Sequence, residues 1–268
     1  MRTAFFVFGV ICHAMFLVVF LYMACFVGNL PVPKTIDTPA ISTSPGWAAL
    51  IDVVLLALFA VPHSVMARPA FKQWWTRFVP KPLERSVSVL IANGFMILLL
   101  WQWQPINIII WNVPGSVGRS VMWGIFAAGW LLVPLASLMI HHFDLFGTRQ
   151  VWLHMREQGY TFLPFRTPLL YKFLRHPLYT GWIIAFWATP TMTLGHLAFA
   201  GFLTAYILIA IPIEERDLVK IYGPAYEEYR QRVPALVPRV GSLLTKRDNP
   251  SPIEDEASPS PVLERGQG

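Results

Sequence analysis

AFFVFGVICHAMFLVVFLYMACFV, residues Ala4 to Val27, carries no acidic or basic charge and, at about 1.5 Å of rise per residue, crosses the roughly 30 Å hydrocarbon core of a bilayer as one helix. In lipid a helix satisfies its own backbone, so an apolar run of this length reads as a span. Working outward, Trp47 to Met66, Val87 to Trp103 and Val121 to Ile140 read the same way, with Asp52 the one charged residue among them. Leu178 to Thr189 and His196 to Ile213 are shorter and are separated by Pro190 and Gly195, which predicts a hairpin. The opening segment is too long for a signal-peptide core and shows no small-residue cleavage site ahead of a soluble domain, so a retained anchor is expected.

Of 268 residues, 55% are hydrophobic and 13% charged, which excludes an ordinary soluble domain. The expected fold class is all-α, a polytopic integral membrane bundle of five to six spans with a C-terminal cytoplasmic amphipathic helix. Residues 1–246 form one domain on this reading. The stretch 247–268, rich in Pro, Ser and Glu, is expected to be a disordered tail because it has too little apolar surface to offset its ordering entropy.

Basic residues fix the expected orientation. Arg68, Lys72, Arg77, Lys81 and Arg85 follow the second span, and Arg149, Arg156, Arg166, Lys172 and Arg175 follow the fourth. Arg216, Lys220, Arg230, Arg232 and Arg239 follow the last. The intervening loops hold little beyond Lys34, Asp37 and Arg119. Six crossings with both termini in the cytoplasm of a bacterial inner membrane satisfy every loop. The net charge of +6 then reports topology rather than nucleic-acid binding.

Cys12 and Cys25 share the first span with neither metal nor disulfide spacing. No Gly-rich dinucleotide fingerprint, phosphate loop, serine elbow or zinc spacing occurs. His141 and Asp144 are three apart, but no third ligand lies nearby, so no metal is expected.

Chemistry concentrates at the feet of the last hairpin. Pro177 suits a first helical position, which makes His176 the cap and leaves the N–H groups of Leu178 and Tyr179, beside Arg175, as an anion-binding helix start. At the other foot Pro212 interrupts the apolar run and Glu214, Glu215, Arg216 and Asp217 follow. A basic, donor-rich foot beside an acidic one has the shape to hold a zwitterion such as an amino-acid head group. The same residues equally fit a new helix begun at Pro212, with Arg175 and Glu215 an interfacial ion pair. Leu218, Ile221, Tyr222, Tyr226, Tyr229 and Val233 then follow at spacings of three and four, which predicts an interfacial helix broken near Gly223-Pro224.

RHPLYTG at Arg175 to Gly181, the Glu214-Glu215 pair and YGPAYEEY at Tyr222 to Tyr229 resemble the C-terminal signature of membrane methyltransferases related to isoprenylcysteine carboxyl methyltransferase. HSVMARPAFKQWW at His63 to Trp75, ERS at Glu84 to Ser86 and HHFDLFGTRQVW at His141 to Trp152 are similar to the bacterial methanethiol S-methyltransferases. The likeness runs from about Phe5 to Val240. It implies transfer of methyl from S-adenosylmethionine to a small volatile thiol. Arg175, His176, Pro177, Leu178, Tyr179 and Gly181 would line the cofactor site from one foot, and Glu214 or Glu215 from the other. The wider superfamily leaves a lipid or prenylcysteine acceptor, a non-catalytic membrane role and a sterol-type reductase as alternatives.

A thiol reacts as its thiolate, so a base or a positive field is expected near the acceptor. His63, His141, His142 and Tyr179 are the candidates. Trp182, Trp187 and Tyr179 are candidates for cation-π contact with a sulfonium, while Trp74, Trp75, Trp101, Trp103 and Trp111 fall near span ends as interface anchors do.

Overall fold

The computed structural model describes residues 1–39 and 43–238; the tail expected from 247 onward lies outside them. Its helices are α1 (Arg2–Val27), α2 (Pro45–Met66), α3 (Pro69–Trp75), α4 (Glu84–Gln102), α5 (Ser116–Met139), α6 (His142–Leu145), α7 (Thr148–Met155), α8 (Pro177–Trp187), α9 (Leu194–Tyr222) and α10 (Pro224–Arg232). Two short strands, β1 (Ile109–Asn112) and β2 (Thr191–Thr193), pair antiparallel. Among the described residues α1, α2, α4 with the turn before it, α5 and α9 are long and apolar enough to cross a membrane. Their outward faces expose large aliphatic side chains, such as Ile11, Val18 and Leu21 on α1 and Leu131 and Leu138 on α5, which water would not tolerate as a continuous surface. The protein is an all-α polytopic integral membrane bundle.

The hairpin of α8 and α9 is unequal. With 11 residues α8 rises only about 16 Å, whereas α9 has 29. The strand β2 joins them and pairs with β1, which lies between α4 and α5, so one end of α8 is fixed at the end of the bundle where α5 begins. From there α8 reaches only part of the way across, and its N-terminus is recessed from the opposite, charged end.

Small residues set the packing of α8 on α5. A Cβ added to Gly129 would lie 2.6 Å from the Ala185 backbone nitrogen, and one on Gly181 would lie 3.0 Å from Val133 Cγ2. The backbones therefore touch, as at other glycine-lined membrane interfaces. Gly129→Val should force them apart at a cost of roughly 1–3 kcal/mol, visible as a lowered unfolding midpoint in detergent.

Three expectations change. Pro212 neither ends nor starts a helix, because α9 runs through it to Tyr222; the break comes at Gly223, whose φ of +59° separates α10. Trp103 is not an interface anchor: it is fully buried and donates to Ile36 O at 3.1 Å. Asp52, for which snorkelling or a partner such as Lys34 is the expectation from sequence, instead accepts the Gln104 N–H at 2.8 Å, while the Lys34 ammonium bonds to Trp101 O at 2.5 Å.

Candidate active site

The recessed start of α8 is held by the chain that follows α10. Pro234 O and Ala235 O accept the N–H groups of Arg175 and His176 at 2.9 and 3.0 Å, and Thr180 Oγ1 donates to Leu236 O at 2.9 Å. Beyond this strap, the N–H groups of Leu178 and Tyr179 have no backbone acceptor among the described residues. They are the free donors that the first turn of a helix leaves.

Because α9 continues through Pro212, Glu214 and Glu215 stand in mid-helix, adjacent in sequence but about 100° apart around the axis. Their surroundings differ accordingly. Glu215 is only 6% exposed, and its Oε1 accepts from Arg175 Nε at 2.7 Å and His176 Nε2 at 3.0 Å. Arg175 is tied further, since its Nη1 also donates to Arg230 O at 2.8 Å and to Val233 O. The ion pair foreseen between Arg175 and Glu215 is real, and it is buried.

Glu214 faces the other way. Its Oε2 accepts the Tyr179 hydroxyl at 2.7 Å, and Tyr179 stacks on His176 with ring centroids 5.4 Å apart. Among the described residues the cationic partners go to Glu215, and Glu214 has none within ion-pair distance. A half-buried carboxylate without a counter-charge, bonded to the Tyr179 side chain from the start of α8, suits a ligand with an ammonium or sulfonium and a carboxylate. By this test the residues fit S-adenosylmethionine.

Below the strap, Tyr226, Tyr229 and Val233 pack with Phe165 and Tyr222. Tyr229 donates to Tyr171 O at 2.6 Å. Burial, and next the Glu215 carboxylate, raise the pKa of Tyr226, so it remains a neutral part of this support.

The four acid-base candidates do not meet. Tyr179 is at the α8–α9 site. His63 is accessible at the end of α2, stacked on Phe59 at 5.3 Å, one turn before Arg68. His141 caps α6 in a left-handed conformation with φ of 80°. His142 lies in a separate polar chain with His13 of α1, a residue that the sequence reading passed over although an intramembrane histidine is itself a signal. In this chain Ser137 Oγ is 2.8 Å from both Pro134 O and His142 Nδ1. The carbonyl can only accept, so the hydroxyl proton goes to it and His142 donates from Nδ1. His142 Nε2 then accepts from His13 Nε2 at 3.0 Å, and His13 Nδ1 accepts from Thr148 at 2.9 Å. Burial, then His13, lowers the pKa of His142, in keeping with a neutral pair with no free nitrogen.

Asp144 beside it is the hub of a second cluster. It accepts from Arg85, from Arg149 at 3.1 Å, from Gln150 at 3.2 Å and from Tyr160 at 3.3 Å. Gly147, at φ +85°, lets this segment approach the start of α4, where a Cβ would lie 2.7 Å from Ser86 N. Trp182 lies in an aromatic stack with Phe186, and Trp187 donates to Thr204 Oγ1 at 2.9 Å near the far end of α8, away from Tyr179.

No family model and no solved structure matches the chain. Among curated proteins, the methanethiol S-methyltransferase of Crocosphaera subtropica is 50% identical over 240 residues, covering 90% of this chain and 94% of that protein. Methanethiol S-methyltransferase 2 of Bradyrhizobium diazoefficiens is 47% identical over 97% of each chain. The methanethiol S-methyltransferase of Mycobacterium tuberculosis is 48% identical over 87% of this chain and 95% of its own length. Identity at this level over most of both chains leaves one assignment: the chain belongs to the methanethiol S-methyltransferase family.

Proposed function

We propose that the protein transfers a methyl group from S-adenosylmethionine to methanethiol, giving dimethyl sulfide and S-adenosylhomocysteine, at the cytoplasmic side of a bacterial inner membrane. The names of the relatives support the acceptor. The observation that carries the site is Glu214, an unpaired carboxylate held by Tyr179 beside the free N–H groups of α8. The basic loops, all at the end of the bundle where α8 begins, support the orientation.

When bound, the cofactor supplies an electrophilic methyl on a sulfonium. The protein's task is then alignment and exclusion of water, since in-line displacement needs no covalent enzyme nucleophile. Glu214 holds the positive end, oriented by Tyr179. The N–H groups of Leu178 and Tyr179 donate to the carboxylate end. Glu215 and Arg175 keep the two helix feet in register. Pro177 starts the helix, His176 braces Glu215, and Gly181 faces α5, where a side chain would displace α8. His142 is not the base in this reading, because both of its nitrogens are engaged.

Purified protein given S-adenosylmethionine and methanethiol should release dimethyl sulfide into the headspace. Absence of that product, with turnover of a prenylcysteine or phospholipid instead, would replace the acceptor. Failure of S-adenosylhomocysteine to bind would remove the site.

A further inference from the structure

Arg68 caps α3 where the chain leaves α2, and its guanidinium is directed to α9. Its Nε donates to Ser64 O at 3.1 Å, and its Nη1 donates to Asp217 Oδ2 at 2.9 Å. These two bonds fix the planar group in a cleft between α2 and α9 while its side chain stays 27% exposed. An arginine has five donors, and among the described residues Nη2 has no hydrogen-bond partner, which leaves it open to a ligand.

The position is informative. Asp217 is three residues after Glu214, so the guanidinium sits one turn along α9 from the unpaired carboxylate. Tyr206, earlier on α9, neighbours Ser64, and the charge of Arg68 reaches Tyr206, Tyr179 and His63. Asp217 is shared with Lys220 at 3.5 Å. Lys72 of α3 lies among Glu84, Arg85, Arg68 and Asp144, where burial lowers its pKa against the opposing charge of Glu84. The guanidinium of Arg68 is the cation directed to α9, one turn along from the negative pole at Glu214.

Resting on the α8–α9 reading above, we propose that Arg68 binds the acceptor sulfur and makes the thiol react as its thiolate. The thiol proton leaves to bulk water as the anion settles against Nη2. A thiolate lone pair then forms the new S–C bond, the bond between methyl and sulfonium sulfur breaks, and that electron pair returns to the cofactor sulfur as a neutral thioether. Charge balances, because one anion and one cation become two neutral sulfides. The two poles, Arg68 and Glu214, lie along one helix face for this exchange.

The test compares methanethiol with 4-nitrothiophenol, an aryl thiol already ionised at neutral pH. Arg68→Gln should lower kcat/KM for methanethiol by roughly 10- to 100-fold, the effect of losing a charge-assisted bond, and move the thiol limb of its pH profile upward. The aryl thiolate meets the same guanidinium and should lose affinity too, but with no ionisation step in this range its profile should not move. Arg68→Lys, which keeps the charge, should restore the limb. Independently of turnover, calorimetry in two buffers should show methanethiol releasing about one proton on binding wild-type protein loaded with S-adenosylhomocysteine, and much less with Arg68→Gln. If Arg68→Gln does not fold, the wild-type protein decides alone: methanethiol binding without proton release would overturn the assignment. An unmoved methanethiol limb with unchanged proton release would make Arg68 only a brace. Wild-type protein that fails to bind S-adenosylhomocysteine would instead sink the underlying site reading.

Discussion

Glu214→Gln is expected to weaken S-adenosylhomocysteine and S-adenosylmethionine binding by roughly 10- to 100-fold while leaving the folded protein in the membrane. The amide keeps the size of the side chain and an acceptor for the Tyr179 hydroxyl, but it removes the one charge that the surroundings leave unmatched. A charge-assisted hydrogen bond contributes about 1.5–3 kcal/mol, and each 1.4 kcal/mol is about tenfold in affinity. Losing the negative charge relieves an uncompensated group, so stability should hold or rise. The cofactor keeps its ammonium from substrate to product but loses its sulfonium, which gives a further check. If Glu214 faces the sulfonium, the loss should be larger for S-adenosylmethionine than for S-adenosylhomocysteine; if it faces the ammonium, the two should fall together. Unchanged affinity for both, measured by equilibrium binding to detergent-purified protein, would mean that Glu214 is not at the cofactor.

Glu215→Leu should behave in the opposite way, as a stability defect first. Its removal strands Arg175 and His176 in a buried setting, and breaking a buried pair from one side costs about 3–5 kcal/mol. The unfolding midpoint in detergent should drop sharply, with ligand affinity lost because the feet of α8 and α9 separate. Removing both charges in Arg175→Met, Glu215→Leu should recover part of the stability, since an apolar pair often replaces a buried ion pair without loss. Recovery stays partial because Arg230 O and Val233 O lose their donor. A single mutant as stable as wild type, yet unable to bind, would reverse the roles given to the two glutamates.

The spans were legible because lipid demands long uncharged runs, and the positions of Lys and Arg were a simple guide to which end carries the site. The feet of the last hairpin were legible too, because Pro177 and the paired glutamates are local signals. What one dimension hid was rotation. Glu214 and Glu215 look equivalent in a string, and only an unbroken α9 turns one into the core and the other toward Tyr179. Pro212 misled as well: in a membrane helix a missing N–H need not end the element. Arg68 with Asp217 and His13 with His142 are separated by 149 and 129 positions, so spacing had nothing to say about them. Trp103 near a span end looked like an anchor, but the 29–39 segment folds over it and takes its N–H through Ile36 O.

The strap at 234–236 and the carbonyls of Arg230 and Val233 complete the brace on Arg175. All of them lie downstream of α9, and domains form broadly in the order in which the ribosome makes them. Each membrane span therefore leaves the ribosome before the buried guanidinium can find its last partners. The helices are inserted first, and the site is locked afterward from the aqueous side by the last part of the described chain to be translated.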